Sequence, residues 1–179
     1  MPDLTLDRVT YGDPDVAALV EQVQDYYRAL YGGPDDSPLT EEELTPPAGL
    51  FLLARLGPEP AGMAGWRRIE PVDALGGRRP AEVRRMYTVP AARHRGVARA
   101  LLGELERTAA AYGADAMVLS TGGRQTDAVA FYRSCGYVDV PPFGHWAASP
   151  GIVCLGRRLT DRPLSAPGKG EPVLGVDQA

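Results

Sequence analysis

The sequence predicts an α/β (α+β) fold in which helices pack on a single sheet. Two apolar runs, residues 50–56 and 61–69, flank the turn Gly57-Pro58-Glu59-Pro60 and predict a β-hairpin. Apolar residues at helical spacing predict a long helix over residues 94–112. The full order of elements is strand, helix, several strands, helix, strand, helix and strands, an order typical of helices layered on a mixed sheet.

The N-terminal part of the chain predicts one strand and one amphipathic helix. Leu4, Leu6 and Val9 lie in a short extended segment and predict a first strand. Asp13-Pro14-Asp15 supplies an acidic cap and an early proline, so a helix over residues 15–31 is expected, ending at Gly32. Thr40 and Glu43 have the spacing of a capping box and predict a short helix over residues 40–44.

The remaining elements follow from turn residues and apolar runs. A strand over residues 81–89 stops at Pro90, and the helix over residues 94–112 ends at Gly113. A short buried strand over 116–120 and a helix over 125–135 come next, with Gly136 as the helix end. The last two strands are expected over residues 137–140 and 152–159.

Length and composition indicate one globular domain. The chain has 179 residues, of which 44% are hydrophobic, enough for one sizeable core. We expect this domain to span residues 1–160. Residues 161–179 contain three prolines and three glycines without periodicity, so we expect a flexible C-terminal tail.

Charge and apolar patterning exclude several classes of partner. The net charge is −4 and the sequence pI is about 5.2, whereas nucleic-acid-binding domains usually carry a basic excess. No apolar run reaches signal-peptide or membrane-span length, so we expect a cytoplasmic protein with no membrane partner. Cys135 and Cys154, with His94 and His145, lack metal-ligand spacing, so no metal is expected. Two free buried thiols are favoured over a disulfide.

The segment from Pro90 to Arg99 predicts a phosphate site. It joins a strand to the start of the strongest helix, where backbone N–H groups lack internal partners and the helix dipole is positive. Gly96 and Ala98 are small, which allows a pyrophosphate to approach the backbone. Arg93, Arg95 and Arg99 add charge that a helix N-terminus disfavours unless an anion or carboxylate is near. The segment lacks both the Walker ending and the triple-glycine dinucleotide spacing.

This pattern resembles motif A of the GNAT family of N-acetyltransferases. The motif reads Arg93-His94-Arg95-Gly96-Val97-Ala98 here, after a strand and opening a long helix. A second match lies downstream, with Gln125-Thr126-Asp127-Ala128 followed by Phe131-Tyr132 and Gly136-Tyr137. Gln125 stands where the family often has asparagine. The resemblance covers residues 4–159 and implies a mostly antiparallel sheet of six to seven strands flanked by about four helices.

The resemblance implies acetyl-CoA as the acyl-CoA co-substrate. Main-chain groups of residues 86–89 are expected to bind its acetyl and pantetheine portion. The turn opening the long helix is expected to bind its pyrophosphate. The implied cofactor-binding residues are Met86, Tyr87, Thr88, Val89, Arg93, His94, Arg95, Gly96, Val97, Ala98, Arg99, Gln125, Ala128, Phe131 and Tyr132.

Two residues are candidates for catalysis. The resemblance places Tyr132 at the coenzyme A sulfur, where a phenol protonates the departing thiolate. A tyrosine packed in a helix face is the alternative. Glu82 opens a Glu-x-x-Arg-Met-Tyr pattern on the strand that leads to the site, and its carboxylate is a candidate base, directly or through water. An ion pair between Glu82 and Arg84 is an equal alternative.

The acceptor is predicted only as a class. Phe143, His145 and Trp146 occupy a loop that resembles the border of the acceptor pocket in relatives, and Tyr27 could reach the same pocket. An aromatic plug over a sheet end, and a core-facing stripe for Tyr27, are the alternatives. We expect acetyl transfer to a small-molecule amine, and the acidic net charge favours a cationic one.

The sequence is compatible with three alternative functions. The chain could transfer acetyl groups to a protein N-terminus or lysine. It could bind acyl-CoA as a non-catalytic sensor, or bind a nucleotide phosphate with the same turn. A homodimer is common among similar proteins, and nothing in the sequence demonstrates one.

Overall fold

The computed structural model describes residues 2–159, which form one seven-stranded sheet with helices on both faces. The strands are β1 (Leu4–Arg8), β2 (Gly49–Leu56), β3 (Glu59–Arg68), β4 (Pro80–Thr88), β5 (Ala116–Gly122), β6 (Val138–Asp139) and β7 (Ile152–Arg158). The α-helices are α1 (Pro14–Tyr31), α2 (Val97–Ala111) and α3 (Thr126–Ser134). The predicted mixed α/β fold is confirmed. The predicted tail, residues 161–179, lies outside the described residues.

The sheet is antiparallel except at one internal pair. Its strand order is β1-β2-β3-β4-β5-β7-β6, and only β4 and β5 run parallel. That pair is joined at Pro80–Ala116, Ala81–Met117 and Glu82–Val118, after which the two strands separate. The separation opens a gap inside the sheet, on the side where α2 begins.

Side-chain alternation along the strands builds a core on each face. On β2, Leu50 and Leu52 pack against α2, whereas Phe51 and Leu53 pack against α1. Strand side chains point alternately to opposite faces, so a continuous apolar run is expected of a strand covered on both sides. The sheet is therefore the middle layer of three.

The helix caps follow the sequence pattern. The Asp13 carboxylate accepts hydrogen bonds from the backbone N–H groups of Asp15 and Val16, as expected of an acidic N-cap. The capping box also forms, with Thr40 N–H donating to Glu43 Oε2 and Glu43 N–H donating to Thr40 Oγ1.

The structure differs from the expected four helices at one place. The structure has a single 3₁₀ turn at Glu42–Leu44 where a helix over residues 40–44 was predicted, so the described residues contain three α-helices. Pro46 and Pro47 follow directly, and proline cannot continue a helix because it lacks the N–H group and clashes with the preceding turn.

Candidate functional site

The gap between β4 and β5 is a cleft of about 750 Å³, called here the central cleft. Every residue from 82 to 88 on β4 lines it, and residues 119–122 of β5 line the opposite wall. The turn before α2, one side of α3, the end of α1 and the loop around Trp146 complete it. A cleft beyond the carboxyl ends of parallel strands is a common place for ligands.

A β-bulge shapes the β4 wall of the central cleft. Met63 pairs with Tyr87 and Gly65 pairs with Arg84, so Arg85 and Met86 both lie opposite one residue of β3. Arg85 has a φ of 54°, a left-handed conformation that non-glycine residues seldom adopt. Bulges of this kind bend a strand and redirect its side chains, often beside functional sites. Here the bulge lies just beyond Glu82, the last residue of β4 that pairs with β5.

The start of α2 is open to an anion. Its first intrahelical bond runs from Ala100 N–H to Gly96 C=O, and no side chain caps the preceding amides. Gly96 has a φ of 82°, and a Cβ added there would meet no atom within 4 Å. A phosphate can therefore approach the free amides, and the helix dipole favours its charge. This geometry fits the pyrophosphate of an acyl-CoA.

Most of the predicted cofactor-binding residues line the central cleft together. They are Met86, Tyr87, Thr88, Arg93, His94, Gly96, Val97, Ala98, Arg99, Gln125, Ala128, Phe131 and Tyr132. Two do not. Val89 donates its backbone N–H to Ala61 C=O, so this amide is already bonded within the protein. Arg95 is exposed and lies outside the lining, because the left-handed backbone at His94 and Gly96 turns the chain there.

Tyr132 presents a protonated hydroxyl to the central cleft. Its side chain is 5% exposed and packs against the rings of Phe131 and Tyr137. In the described part of the chain its hydroxyl has no hydrogen-bond partner, and no unpaired polar side-chain atom there is fully buried. The hydroxyl must therefore reach the cleft. Burial raises the pKa of Tyr132 well above that of free tyrosine, with Tyr27 and Cys135 adding to the shift.

Glu82 lies where β4 and β5 separate, and one of its oxygens is held by an arginine. Arg67 Nε donates to Glu82 Oε2 at 2.9 Å, and Arg84 Nη1 lies 3.8 Å from the same oxygen. The predicted neighbour Arg84 is thus the weaker partner, and Arg67 on β3 the stronger. Within residues 2–159 Oε1 has no hydrogen-bond partner, so by the same reasoning it is accessible.

A charged network beside Glu82 was not predicted. Arg84 donates to Ser37 Oγ, Ser37 donates to Asp35, and Asp35 forms an ion pair with Arg85. Burial alone would raise the pKa of Asp35, but hydrogen bonds from Ser37 and the Arg85 charge lower it below its usual value. The network depends on a loop after α1 that folds back over β4, a contact between positions about 50 residues apart. No local pattern signals it.

The predicted acceptor-site residues separate into two groups. Tyr27, His145 and Trp146 line the central cleft, with the rings of His145 and Trp146 in an edge contact at 4.6 Å. Burial, reinforced by the Asp35 charge, raises the pKa of Tyr27 to about 12. Phe143 is instead 7% exposed, packs with Val118, Val140 and Cys154, and is not among the residues that line the central cleft. An apolar ring at this position closes the sheet end as a plug.

Other features of the described residues bear on the alternatives. Both cysteines are free, Cys154 buried and Cys135 half-buried. Within residues 2–159 no group of side chains has the composition of a metal site, and none of the helices is long and apolar enough to cross a membrane.

Comparisons with known proteins agree on one family. The model of the acetyltransferase (GNAT) family matches residues 16–137. The chain is 33% identical over 150 residues to an IAA acetyltransferase of Azospirillum brasilense, covering 84% of this chain and 94% of that protein.

Solved structures share the fold. A proposed acyl-CoA N-acyltransferase of Klebsiella pneumoniae superimposes with a TM-score of 0.70 at 25% identity, over 87% of this chain and 97% of that one. An IAA acetyltransferase of Bacillus cereus gives 0.62 at 17% identity, over 87% and 99%.

Proposed function

Since the chain belongs to the GNAT family of acetyltransferases, we propose that it transfers the acetyl group of acetyl-CoA to the primary amine of a small molecule. The amine attacks directly while both substrates occupy the central cleft. The observation that carries this proposal is the pairing, in one cleft, of an open helix N-terminus with the unpartnered hydroxyl of Tyr132.

The chain's own residues would hold the co-substrate at two places. The free amides at the start of α2 bind the pyrophosphate, and Arg93 and Arg99 add positive charge beside them. Met86, Tyr87 and Thr88 of β4 line the gap, and main-chain groups of this segment bind the pantetheine arm. Bound acetyl-CoA supplies the acetyl group as a thioester, whose carbonyl carbon accepts the amine and whose thiolate leaves.

Tyr132 is the proposed acid. Its raised pKa keeps the proton on the phenol at neutral pH, so the hydroxyl donates a hydrogen bond to the departing sulfur. A phenol with a raised pKa is by itself a weak acid toward a thiolate. Burial in the same cleft also raises the proton affinity of the departing thiolate, which favours transfer of the proton to the sulfur.

Glu82 is the proposed base, directly or through one water. The incoming amine must lose a proton to attack and to become an amide, and Oε1 is the accessible unpaired oxygen. Arg67 fixes the carboxylate by holding Oε2. Glu82 therefore has a fixed orientation with one free oxygen aimed at accessible space.

A thiol-release assay tests the proposal. The purified protein, acetyl-CoA and a panel of primary amines should release free coenzyme A in an amine-dependent manner, with the acetylated amine as product. Tight acetyl-CoA binding without turnover on any amine would instead support a sensor. Stronger binding of ATP than of acetyl-CoA would contradict the assignment of the helix start to coenzyme A.

A further inference from the structure

Arg84 is a buried cation that lines the central cleft and has unused hydrogen-bond donors. Its side chain is 7% exposed. Nη2 donates to Ser37 Oγ at 2.6 Å, while Nη1 is 3.8 Å from Glu82 Oε2, too far for a hydrogen bond. Among the described residues neither Nη1 nor Nε has a hydrogen-bond partner. Since no unpaired side-chain nitrogen there is fully buried, both are partly accessible, and Arg84 lines the cleft.

The nearby carboxylates are engaged by other arginines. Glu82 Oε2 is held by Arg67 Nε at 2.9 Å, and Asp35 is held by Arg85 and Ser37. Neither carboxylate therefore neutralises the charge of Arg84 alone, because each is already paired with another arginine. Burial lowers the pKa of Arg84, the Glu82 charge opposes this shift, and the Arg67 charge adds to it. The guanidinium still remains charged, because arginine is not deprotonated in proteins.

A guanidinium in this state is a binding group for a carboxylate. Nη2 has a second N–H besides the one it donates to Ser37, and in the guanidinium plane this second N–H lies parallel to an N–H of Nε or of Nη1. Either pair matches the two oxygens of a carboxylate. An ammonium group would find one unpaired carboxylate oxygen among the described residues beside Arg84, Glu82 Oε1, because Arg67 holds Oε2 and because Arg85 and Ser37 hold Asp35. The surroundings of Arg84 thus suit a carboxylate of the acceptor, whereas the net charge of the chain had favoured a cationic amine.

We propose that the acceptor carries a carboxylate as well as the reacting amine, and that Arg84 binds this carboxylate in the central cleft. The acceptor is therefore an amino acid in the broad sense. This inference rests on the proposed acetyl transfer. Tyr26, Tyr27, Tyr31 and Trp146 also line the cleft, so the remainder of the acceptor meets aromatic side chains.

The test compares pairs of amines that differ only by the carboxylate. L-phenylalanine is paired with 2-phenylethylamine, and 4-aminobutyrate with propylamine. Rates are normalised to the free-base fraction of each amine. In the wild-type protein kcat/KM should favour at least one carboxylated member by about 10- to 100-fold, the usual contribution of a hydrogen bond to a charged group.

Two variants at Arg84 and one control assign the preference. Arg84→Gln should bring the ratio within each pair close to one, and Arg84→Lys should retain part of it because it keeps the charge. Arg55→Gln is the control: this arginine, also on the sheet, pairs with Asp15 and Asp7 away from the cleft and should keep the wild-type ratio. Because both amines of a pair meet the same enzyme sample, the ratio is independent of the folded fraction.

The outcomes separate this inference from the proposed function. Turnover of both members of each pair at equal kcat/KM, or an unchanged ratio in Arg84→Gln, would overturn the assignment of Arg84 and leave acetyl transfer standing. Turnover of no amine would overturn acetyl transfer. In that case calorimetric titration of N-acetyl-L-phenylalanine against N-acetyl-2-phenylethylamine still tests Arg84, since equal binding of the two would refute carboxylate recognition.

Discussion

Replacing Tyr132 by phenylalanine isolates the chemical contribution of one hydroxyl. The ring contacts with Phe131 and Tyr137 remain, at centroid distances of 5.2 and 5.7 Å in the wild type. The hydroxyl has no hydrogen-bond partner in the described part of the chain, so removing it leaves no protein group unsatisfied. Tyr132→Phe should therefore fold normally and bind acetyl-CoA with wild-type affinity.

In Tyr132→Phe we expect a large fall in kcat and little change in the free energy of unfolding. General acid help is typically worth about 10²- to 10⁴-fold, which corresponds to about 3 to 5.5 kcal/mol in the activation free energy. Steady-state thiol release measures kcat, calorimetric titration measures acetyl-CoA affinity, and urea unfolding measures stability. An unchanged kcat across the accessible pH range would refute the acid assignment.

Tyr137→Phe is the matched control for this prediction. Tyr137 donates a buried hydrogen bond to Glu106 at 3.0 Å and does not line the central cleft. Its loss should lower the free energy of unfolding by about 1.5 to 3 kcal/mol, because the hydrogen-bond acceptor is a carboxylate, while kcat stays at the wild-type value. If Tyr137→Phe lost turnover as severely as Tyr132→Phe, a general packing defect would explain both.

Two further perturbations test the anion site and the charged network. Gly96→Glu should abolish acetyl-CoA binding in a titration, because it places an anion at the start of α2 and a side chain on a left-handed backbone. Gly103→Ala, within α2, is the control: it should keep acetyl-CoA binding and add about 0.5 to 1 kcal/mol to the free energy of unfolding. Wild-type affinity in Gly96→Glu would refute the pyrophosphate assignment. Asp35 has a lowered folded pKa, so its contribution to stability is present above its unfolded pKa of about 3.9 and is lost as pH falls through the folded value. Urea midpoints should show this loss below about pH 4 in the wild type and not in Asp35→Asn; parallel curves for the two proteins would contradict it.

Local patterns predicted the elements that depend on local physics. The Asp13 cap, the Thr40–Glu43 box and the glycine ends of the helices are contacts within a few residues, and the structure contains them. Strand β6 is shorter than expected because Tyr137, read as its first residue, is turned into the core and donates to Glu106.

The charged network beside Glu82 could not be predicted, because its contacts join residues that are far apart in the sequence. Arg67 reaches Glu82 across the β3–β4 pairing, and Ser37 reaches Arg84 from a loop 47 positions earlier. The bulge at Arg85 was equally hidden, since arginine gives no signal of a positive φ as glycine would. The resemblance to a family supplied the candidates Tyr132 and the helix start, and it did not supply Arg84, the residue proposed to bind the acceptor.

The early separation of β4 and β5 has a thermodynamic consequence. Beyond Glu82 each strand has an edge inside the sheet, and unpaired strand edges ordinarily invite association with other chains. A ligand with amide groups of its own can serve as the missing strand between them. The co-substrate would then stabilise the folded state because it binds only that state. At a concentration one hundred times its Kd it would add about 2.7 kcal/mol to the free energy of unfolding. The fraction of this protein that is folded would then rise with the concentration of acetyl-CoA, its proposed co-substrate.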